Sequence, residues 1–405
     1  MRRLLPLLFL PLLMPVHAAT VTTFAAPDSS FAVVQGFIAA ANETLSLSTY
    51  TFDHARITDE LVSARKRSVA VTVLAEANPV GGLQNESKAV FCELAKNGIP
   101  VHLHTGKTLI HAKYAIRDNA SVLVSTENFG YDGYPANGYG NRGWGAVVDD
   151  AGMAQEALSI YESDLRDAVL FACTRSSYSV RSAASNFVVP PRFLPRSFYN
   201  QSVQLIAAPG AVDDIIGLIA SAHDTLLVEQ FYVYRNWGTK KEPEPNAFLE
   251  AAISRARNGT DVKLLLDSTW YNVEERDQND NDDVVAYVND IARNESLPLE
   301  AKLADTERIG AEKIHAKGIV ADNRVLISSI NWNEASPTRN RELGIVVEGE
   351  AANYFREVFA SDWEPRAGGA TGKATEKPSG IGSVLIIVIV LIALAAVLVV
   401  ARRGR

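Results

Sequence analysis

The sequence predicts an α/β fold, a duplicated α/β sandwich followed by one C-terminal transmembrane helix. Three observations predict it. Phe37–Phe52 (FIAAANETLSLSTYTF) lines up with Leu218–Val233 (LIASAHDTLLVEQFYV), each closing a helix, turning, and continuing as an alternating strand. Each copy leads into an amphipathic helix (ITDELVSARKR; FLEAAISRARN) and then an apolar strand (VAVTVLAE; VKLLLDS), the alternation of a sheet covered by helices. Finally, Ile381–Ala401 is an uncharged run dominated by Val, Leu, Ile and Ala, long enough to cross about 30 Å of hydrocarbon.

In chain order, Met1–Ala18 begins with Arg2 and Arg3, runs through LLPLLFLPLLMPV and closes on Val16-His17-Ala18, the pattern of a secretory signal peptide cleaved near Ala18. The first half then spans 19–182, a Pro- and Phe-rich linker 183–200, and the second half 201–365. A Gly- and Pro-containing stalk follows over 366–380, the transmembrane helix over 381–401, and a tail over 402–405. Arg402, Arg403 and Arg405 place that tail in the cytoplasm and the body on the extracytoplasmic side of a cell membrane, held by a single pass.

The 405 residues, 47% of them hydrophobic, suffice for a large core and exclude a disordered chain or a disulfide-dense mini-domain. All 47 acidic residues but only 34 of the 39 basic ones lie between the two ends, so the body carries −13. A broad electrostatic grip on a polyphosphate backbone is disfavoured by that charge. Cys92 and Cys173 would lie outside, where a disulfide is permitted; two buried thiols are the other reading. Asp277–Asp283 resembles the start of a calcium loop but has neither the central Gly nor the bidentate Glu, and reads as an exposed acidic loop.

Matching places in the two halves carry the chemistry. The first half has His111-Ala-Lys113, then Asp118, and a strand ending Ser125-Thr126-Glu127-Asn128. The second has His315-Ala-Lys317, then Asp322, and a strand ending Ser328-Ser329-Ile330-Asn331. Asn141-Arg142-Gly143 and Asn340-Arg341-Glu342 follow. On a strand, residues two apart share a face, so each His-Lys pair points one way, within reach of the Ser and Asn at the next strand's end. Such a set suits a phosphodiester: ammonium and amide groups hold the non-bridging oxygens and stabilise charge at pentavalent phosphorus. Asp118 and Asp322 each begin a turn and read as structural.

With these residues in view, the sequence resembles the phospholipase D superfamily, whose H-x-K-x4-D motif occurs here twice. The resemblance runs from Phe31 to Trp363 and includes SSINWN at Ser328–Asn333, the NRE triplet at Asn340–Glu342 and Glu229–Tyr232. It implies two halves packed about a pseudo-twofold axis, with both His-Lys pairs in one cleft and no metal or other cofactor. It implies a catalytic set of His111, Lys113, Asn128, His315, Lys317, Asn331 and Glu342. Ser125, Thr126, Ser328, Ser329, Asn141 and Asn340 would bind substrate. By the same resemblance His111 forms a covalent phosphohistidine, while His315 protonates the leaving alcohol and later activates water or an acceptor alcohol. The chain departs from the pattern at Ser125-Thr126, where Gly-Ser is usual, and at Gly143, where Glu is usual. A carboxylate orienting a histidine is therefore expected from Glu342 alone. Tyr131–Gly140 should be a loop beside the cleft.

Three functions fit. The first is a phospholipid phosphodiesterase or phosphatidyltransferase, of phospholipase D or cardiolipin-synthase type, favoured by the membrane tether and the acidic body. The second is a surface-anchored nuclease using the same chemistry on nucleic acid. The third is an inactive surface binding protein, disfavoured because both His-Lys pairs are intact. No oligomer is required, because both motifs lie in one chain.

Overall fold

The computed structural model describes residues 17–173, 188–239, 241–273 and 280–364. The first half runs β1 (His17–Ala26), α1 (Ser30–Ala39), β2 (Thr44–Thr49), α2 (Ala55–Lys66), β3 (Ala70–Glu76) and α3 (Asn85–Lys96). It continues with β4 (Val101–His104), β5 (Tyr114–Arg117), β6 (Ser121–Ser125), β7 (Gly143–Asp149), α4 (Ala151–Leu165) and β8 (Ala168–Leu170). The second half runs β9 (Arg196–Ala208), α5 (Val212–Ala220), β10 (Thr225–Gln230), a small hairpin of β11 (Asn236–Gly238) and β12 (Pro243–Pro245), and α6 (Ala247–Arg257). Then come β13 (Asp261–Leu266), α7 (Asn281–Glu295), β14 (Leu299–Leu303), α8 (Thr306–Ile309), β15 (Lys317–Ala321), β16 (Arg324–Ser328), α9 (Ala335–Thr338), β17 (Glu342–Glu348) and α10 (Ala351–Trp363).

The duplication is visible in the strand order. From the central antiparallel pair β9–β1, one side reads β17, β16, β15, β10, β13, β14 and the other β7, β6, β5, β2, β3, β4, with β8 added at that edge. Parallel pairs occur where helices cross over, β2–β3–β4 through α2 and α3, and β10–β13–β14 through α6 and α7. Those helices have one apolar face each; α2, for instance, buries Ile57, Leu61 and Ala64, a helical spacing. His54 starts α2 by accepting the Ile57 N–H on Nδ1, and Asn246 starts α6 by accepting from Phe248 and Leu249.

Three cores result. Two lie under α1–α3 and α5–α7, one per half, and the third joins β1, β7, β9 and β17 to α4 and α10 and belongs to both halves. At its centre the Trp144 ring lies tilted against Phe355, centroids 4.9 Å apart, and covers Gly318 so closely that a Cβ there would sit 2.1 Å from the ring. Only glycine fits that crossing.

Several boundaries differ from expectation. The linker is shorter than 183–200, because Arg196–Asn200 already belong to β9 and Phe198 pairs with Val21 of β1. Strand β1 starts at His17, just before the expected cleavage at Ala18; residues 1–16 lie outside the described residues. The stalk over 366–380, the transmembrane helix over 381–401 and the tail also lie outside them, and among the described residues no helix is long and apolar enough to cross a membrane. The expected acidic loop is helical at its end: Asn281 opens α7, is fully buried, and donates to the Phe231 and Asp267 carbonyls. Its residues 277–279 lie outside the described residues. Cys92 and Cys173 form a disulfide, closing 81 residues of chain and tying α3 to the segment after β8.

Candidate active site

His111 and His315 lie in extended segments that precede β5 and β15, rather than on strands as expected; only Lys317 begins one. What holds each segment is the other half. His111 N–H donates to the Arg341 carbonyl and Arg341 N–H to the Leu109 carbonyl. Reciprocally, His315 N–H donates to the Arg142 carbonyl and Arg142 N–H to the Lys313 carbonyl. The arginine side chains reach across as well: Arg341 Nε pairs with Asp164 of α4 at 2.9 Å, and Arg142 Nε with Asp362 of α10 at 2.7 Å. Arg142 is also 2.6 Å from Asp28. Buried, doubly anchored pairs of this kind hold geometry more than they add stability.

The imidazoles are fixed crosswise too. His111 Nδ1 lies 2.8 Å from Glu342 Oε2, and His315 Nδ1 lies 3.1 Å from Glu127 Oε2. The expectation of a single orienting carboxylate is thus overturned. Glu127 stands in the place left empty by Gly143: a Cβ on Gly143 would lie 2.2 Å from Glu127 Oε1. The second half makes the opposite choice, with Glu342 at the position of Gly143 and Ile330 at that of Glu127. Asn141 donates to Glu127 at 2.9 Å, and Asn340 to Glu342 at 3.2 Å; Ser336 also donates to Glu342. The two asparagines expected on substrate therefore brace carboxylates.

Electrostatics ties the pieces together. Burial lowers both imidazole pKa values, that of His315 to about 3, so both rings are neutral in the free protein near pH 7. With Nδ1–H donated to a carboxylate, each ring leaves Nε2 as a bare lone pair. Burial would raise the Glu127 carboxyl, but His315 and then Lys317 hold it down to about 2. Lys113 and Lys317 are fully buried and donate to the carbonyls of their own histidines. Burial lowers Lys113 to about 7 and Lys317 well below the ordinary lysine value, and each senses both Glu127 and Glu342. Tyr50 and Phe231, equivalent by the duplication, set an edge against His111 and His315, both at 4.9 Å.

The remaining expected residues divide. Asn128 and Asn331 each keep a buried side-chain oxygen with no partner among the described residues. Ser125, Thr126, Ser328 and Ser329 are fully buried and bonded to main chain: Ser125 accepts from Glu127 N–H, Thr126 from Trp144 N–H, Ser328 from Ile330 N–H, and Ser329 from Leu343 N–H. These bonds fix the hydroxyls at the strand ends. Asp118 accepts from the N–H groups of Asn42, Glu43 and Thr44, and Asp322 from those of His223, Asp224 and Thr225, the structural role expected of them.

A cavity of about 100 Å³ opens beside His315, lined among others by Asp53, Asn128, Asp132, Asn141 and Lys313. Part of the Tyr131–Gly140 loop forms its wall, as expected. Glu127 and Lys313 are the residues that the sequence reading passed over. Lys313 alternates with His315 and Lys317, a signal present in the sequence. Glu127 had none beyond standing next to Asn128.

Residues 34–165 and 215–363 match the family described as "Cardiolipin synthase, PLD-like domain". Phosphatidylserine synthase of Haemophilus influenzae Rd KW20 has a similar fold, with TM-score 0.63 and 13% identity over 95% of this chain and 96% of that one. Nuc of Salmonella typhimurium, a phospholipase D family member, aligns with 37% of this chain and 97% of its own at 23% identity and TM-score 0.35. NucT of Helicobacter pylori aligns with 37% and 98% at 21% identity and TM-score 0.33. No curated protein matches the chain significantly. Two matched segments, one in each half and together covering most of the chain, place this protein in the phospholipase D superfamily.

Proposed function

We propose that the protein is a phosphodiesterase and phosphatidyltransferase acting on phospholipids through a phosphohistidine, with no metal. The observation that carries this is the crossed pair of imidazoles, each bound through Nδ1 to the other half's carboxylate, above two buried lysines. In the first step His111 Nε2 attacks phosphorus, a P–N bond forms, and the P–O bond to the leaving alcohol breaks. That alcohol takes its proton from the Nε2–H of His315, whose imidazolium is favoured once a phosphodiester anion enters. In the second step water or an alcohol gives its proton to His315 and attacks phosphorus, and the P–N bond breaks. Lys113, Lys317, Asn128 and Asn331 hold the non-bridging oxygens. The cavity beside His315 supports this division of roles, since the alcohol must sit by the group that exchanges its proton. Glu127 and Glu342, the carboxylates that meet the imidazoles, are committed to histidines, so neither is free to hold a divalent ion.

The lipid reading rests further on the family's description and on the apolar run at 381–401, read as a single-pass anchor behind a secretory signal. The disulfide supports an extracytoplasmic body. The test is turnover by the full chain in vesicles of a phospholipid panel, beside single-stranded DNA, with EDTA present. Lipid turnover with a base-stable, acid-labile label on the His111 peptide is the expected result. Cleavage of DNA alone would replace the lipid by nucleic acid, loss in EDTA restored by a divalent ion would remove the metal-free mechanism, and label on His315 would reverse the roles.

A further inference from the structure

Six Asn-x-Ser/Thr triplets play no part in the catalytic reading, at Asn42, Asn85, Asn119, Asn200, Asn258 and Asn294. All six asparagines are exposed, and their placement along the sheet is uneven. Tyr50, just past β2, sets its edge against His111, so the start of β2 lies at the far end and Asn42 precedes it. Asn119 turns β5 into β6 beside Asp118, which accepts from the N–H groups of Asn42, Glu43 and Thr44. In the second half β10 and β13 end at Gln230 and Leu266, level with Lys317, and begin at the paired Thr225 and Asp261. Asn258 comes just before Asp261, and Asn294 before Leu299, the partner of Val262. On β9, Ala208 pairs with Glu342 and Ser202 with Glu348, so Asn200 is at the far end as well.

Five of the six triplets therefore share the end away from the histidines, about 20 Å off by the six residues of β2. Asn85, which opens α3 after β3, is the exception. Asparagine itself is not scarce at the catalytic end. Asn78, Asn128, Asn141, Asn331, Asn333 and Asn340 all stand there, and none of them begins such a triplet. The chain also leaves the described body at the catalytic end. Helix α10 starts beyond the far end of β17 and runs back to Asp362, which pairs with Arg142 beside the His315 segment. Acceptor triplets and the exit toward the run read as an anchor thus lie at opposite ends.

From this segregation we infer that Asn42, Asn119, Asn200, Asn258 and Asn294 carry N-linked saccharides, a hydrated cap on the end away from the cleft. Asn85 is outside the assignment. The inference goes beyond the catalytic reading and rests on the extracytoplasmic placement of the body. In the transfer, asparagine Nδ2 attacks the anomeric carbon of a saccharide carried on a lipid phosphate. The N–C bond forms, the C–O bond to phosphate breaks, and the lipid phosphate leaves as the amide gives up one proton. The Asn42 and Asn258 amides donate to the Ala40 and Ser254 carbonyls at 3.0 and 2.7 Å, and the N–H that remains after transfer can keep each bond. Ser121 and Thr260 are buried in the finished fold, so a transferase that reads their hydroxyls meets them before the fold closes. Bulk at the far end leaves the cleft as the end free to approach the surface that holds the anchor.

The test is peptide mass spectrometry of the full chain isolated from the membranes of its own cells, with thiols alkylated before and after reduction. Saccharide mass on most of the five far-end peptides is the expected result. Asn→Asp at each site in turn should then remove one step from the mobility of the intact chain. Aspartate suits this purpose because Asn119 and Asn200 have left-handed φ values of 50° and 54°, which it tolerates. Three or more bare sites in a chain whose Cys92–Cys173 bridge is formed would overturn the assignment and leave the placement of the body standing. Bare sites together with free thiols at Cys92 and Cys173 would remove that placement and the inference with it. Neither result touches the phosphohistidine, whose trapping is a separate measurement.

Discussion

At the residue scale the two carboxylates are the most instructive. A histidine that loses its orienting acid loses both tautomer and position, and in a comparable triad that change costs roughly 10⁴ in turnover. Glu127→Gln and Glu342→Gln should each lower kcat by about 10²–10⁴ with unchanged circular dichroism. The gap at Gly143 permits a sharper trial. Gly143→Glu alone collides with Glu127, whose oxygen would be 2.2 Å from the new Cβ, and should be inactive. Combined with Glu127→Ala it would restore the arrangement of the second half, and activity should recover in part; no recovery would mean that the carboxylate acts from the Glu127 position only. Here lies the limit of what the sequence disclosed. The His-Lys pairs were legible because the spacing repeats in register with the duplication. Glu127 was not, because the acid moved to a neighbouring loop position while its oxygens stayed in place, and alignment tracks backbone positions, not oxygens. The main-chain bonds of the Ser125 and Ser328 hydroxyls were not legible for a related reason: strand ends also use hydroxyls, and composition does not reveal which way they turn.

At the scale of elements, the helices and strands were legible from their apolar periodicity, whereas the ends of elements were not. Strand β9 starts inside a stretch rich in Pro and Phe, since its partner β1 supplies the pairing. The start of α2 has a measurable consequence. His54 is buried between Phe31 and Tyr131, accepts from Ile57 N–H and donates from Nε2 to the Tyr134 carbonyl. Burial lowers its pKa to about 4. The unfolded chain protonates this ring near 6.5, while the folded one refuses the proton, so stability is full above that pH and is lost as pH falls toward 4. The loss is roughly 3 kcal/mol over that window, and His315 adds to it with the same sign. Urea midpoints should therefore fall between pH 7 and pH 5, and His54→Asn, which retains a capping acceptor, should flatten part of the slope. Midpoints that do not move over that range would contradict the buried neutral ring.

At the scale of the whole molecule, the continuous sheet and the shared core make the halves one cooperative body. Two devices reinforce it. The disulfide closes 81 residues and should contribute about 4 kcal/mol by restricting the unfolded chain. Reduction should lower the denaturation midpoint accordingly, and an unchanged midpoint would show that the bridge is energetically idle. The crossed arginines are the other. Arg341→Met strands Asp164 without its partner and should cost about 3–5 kcal/mol, whereas Arg341→Met with Asp164→Leu should cost much less, as denaturant melts would show.

The crossing of His111 to Glu342 also has a consequence in time. The two residues are 231 positions apart, and the second lies at the start of β17, the last strand in chain order among the described residues. A chain emerging N-terminus first carries His111 through most of its synthesis with no acid to orient it. On the proposed function, phosphoryl transfer would begin only when that strand is laid down. Chains arrested before residue 342 should bind no phosphoryl label, while release of the arrest should bring labelling on in step with closure of that strand.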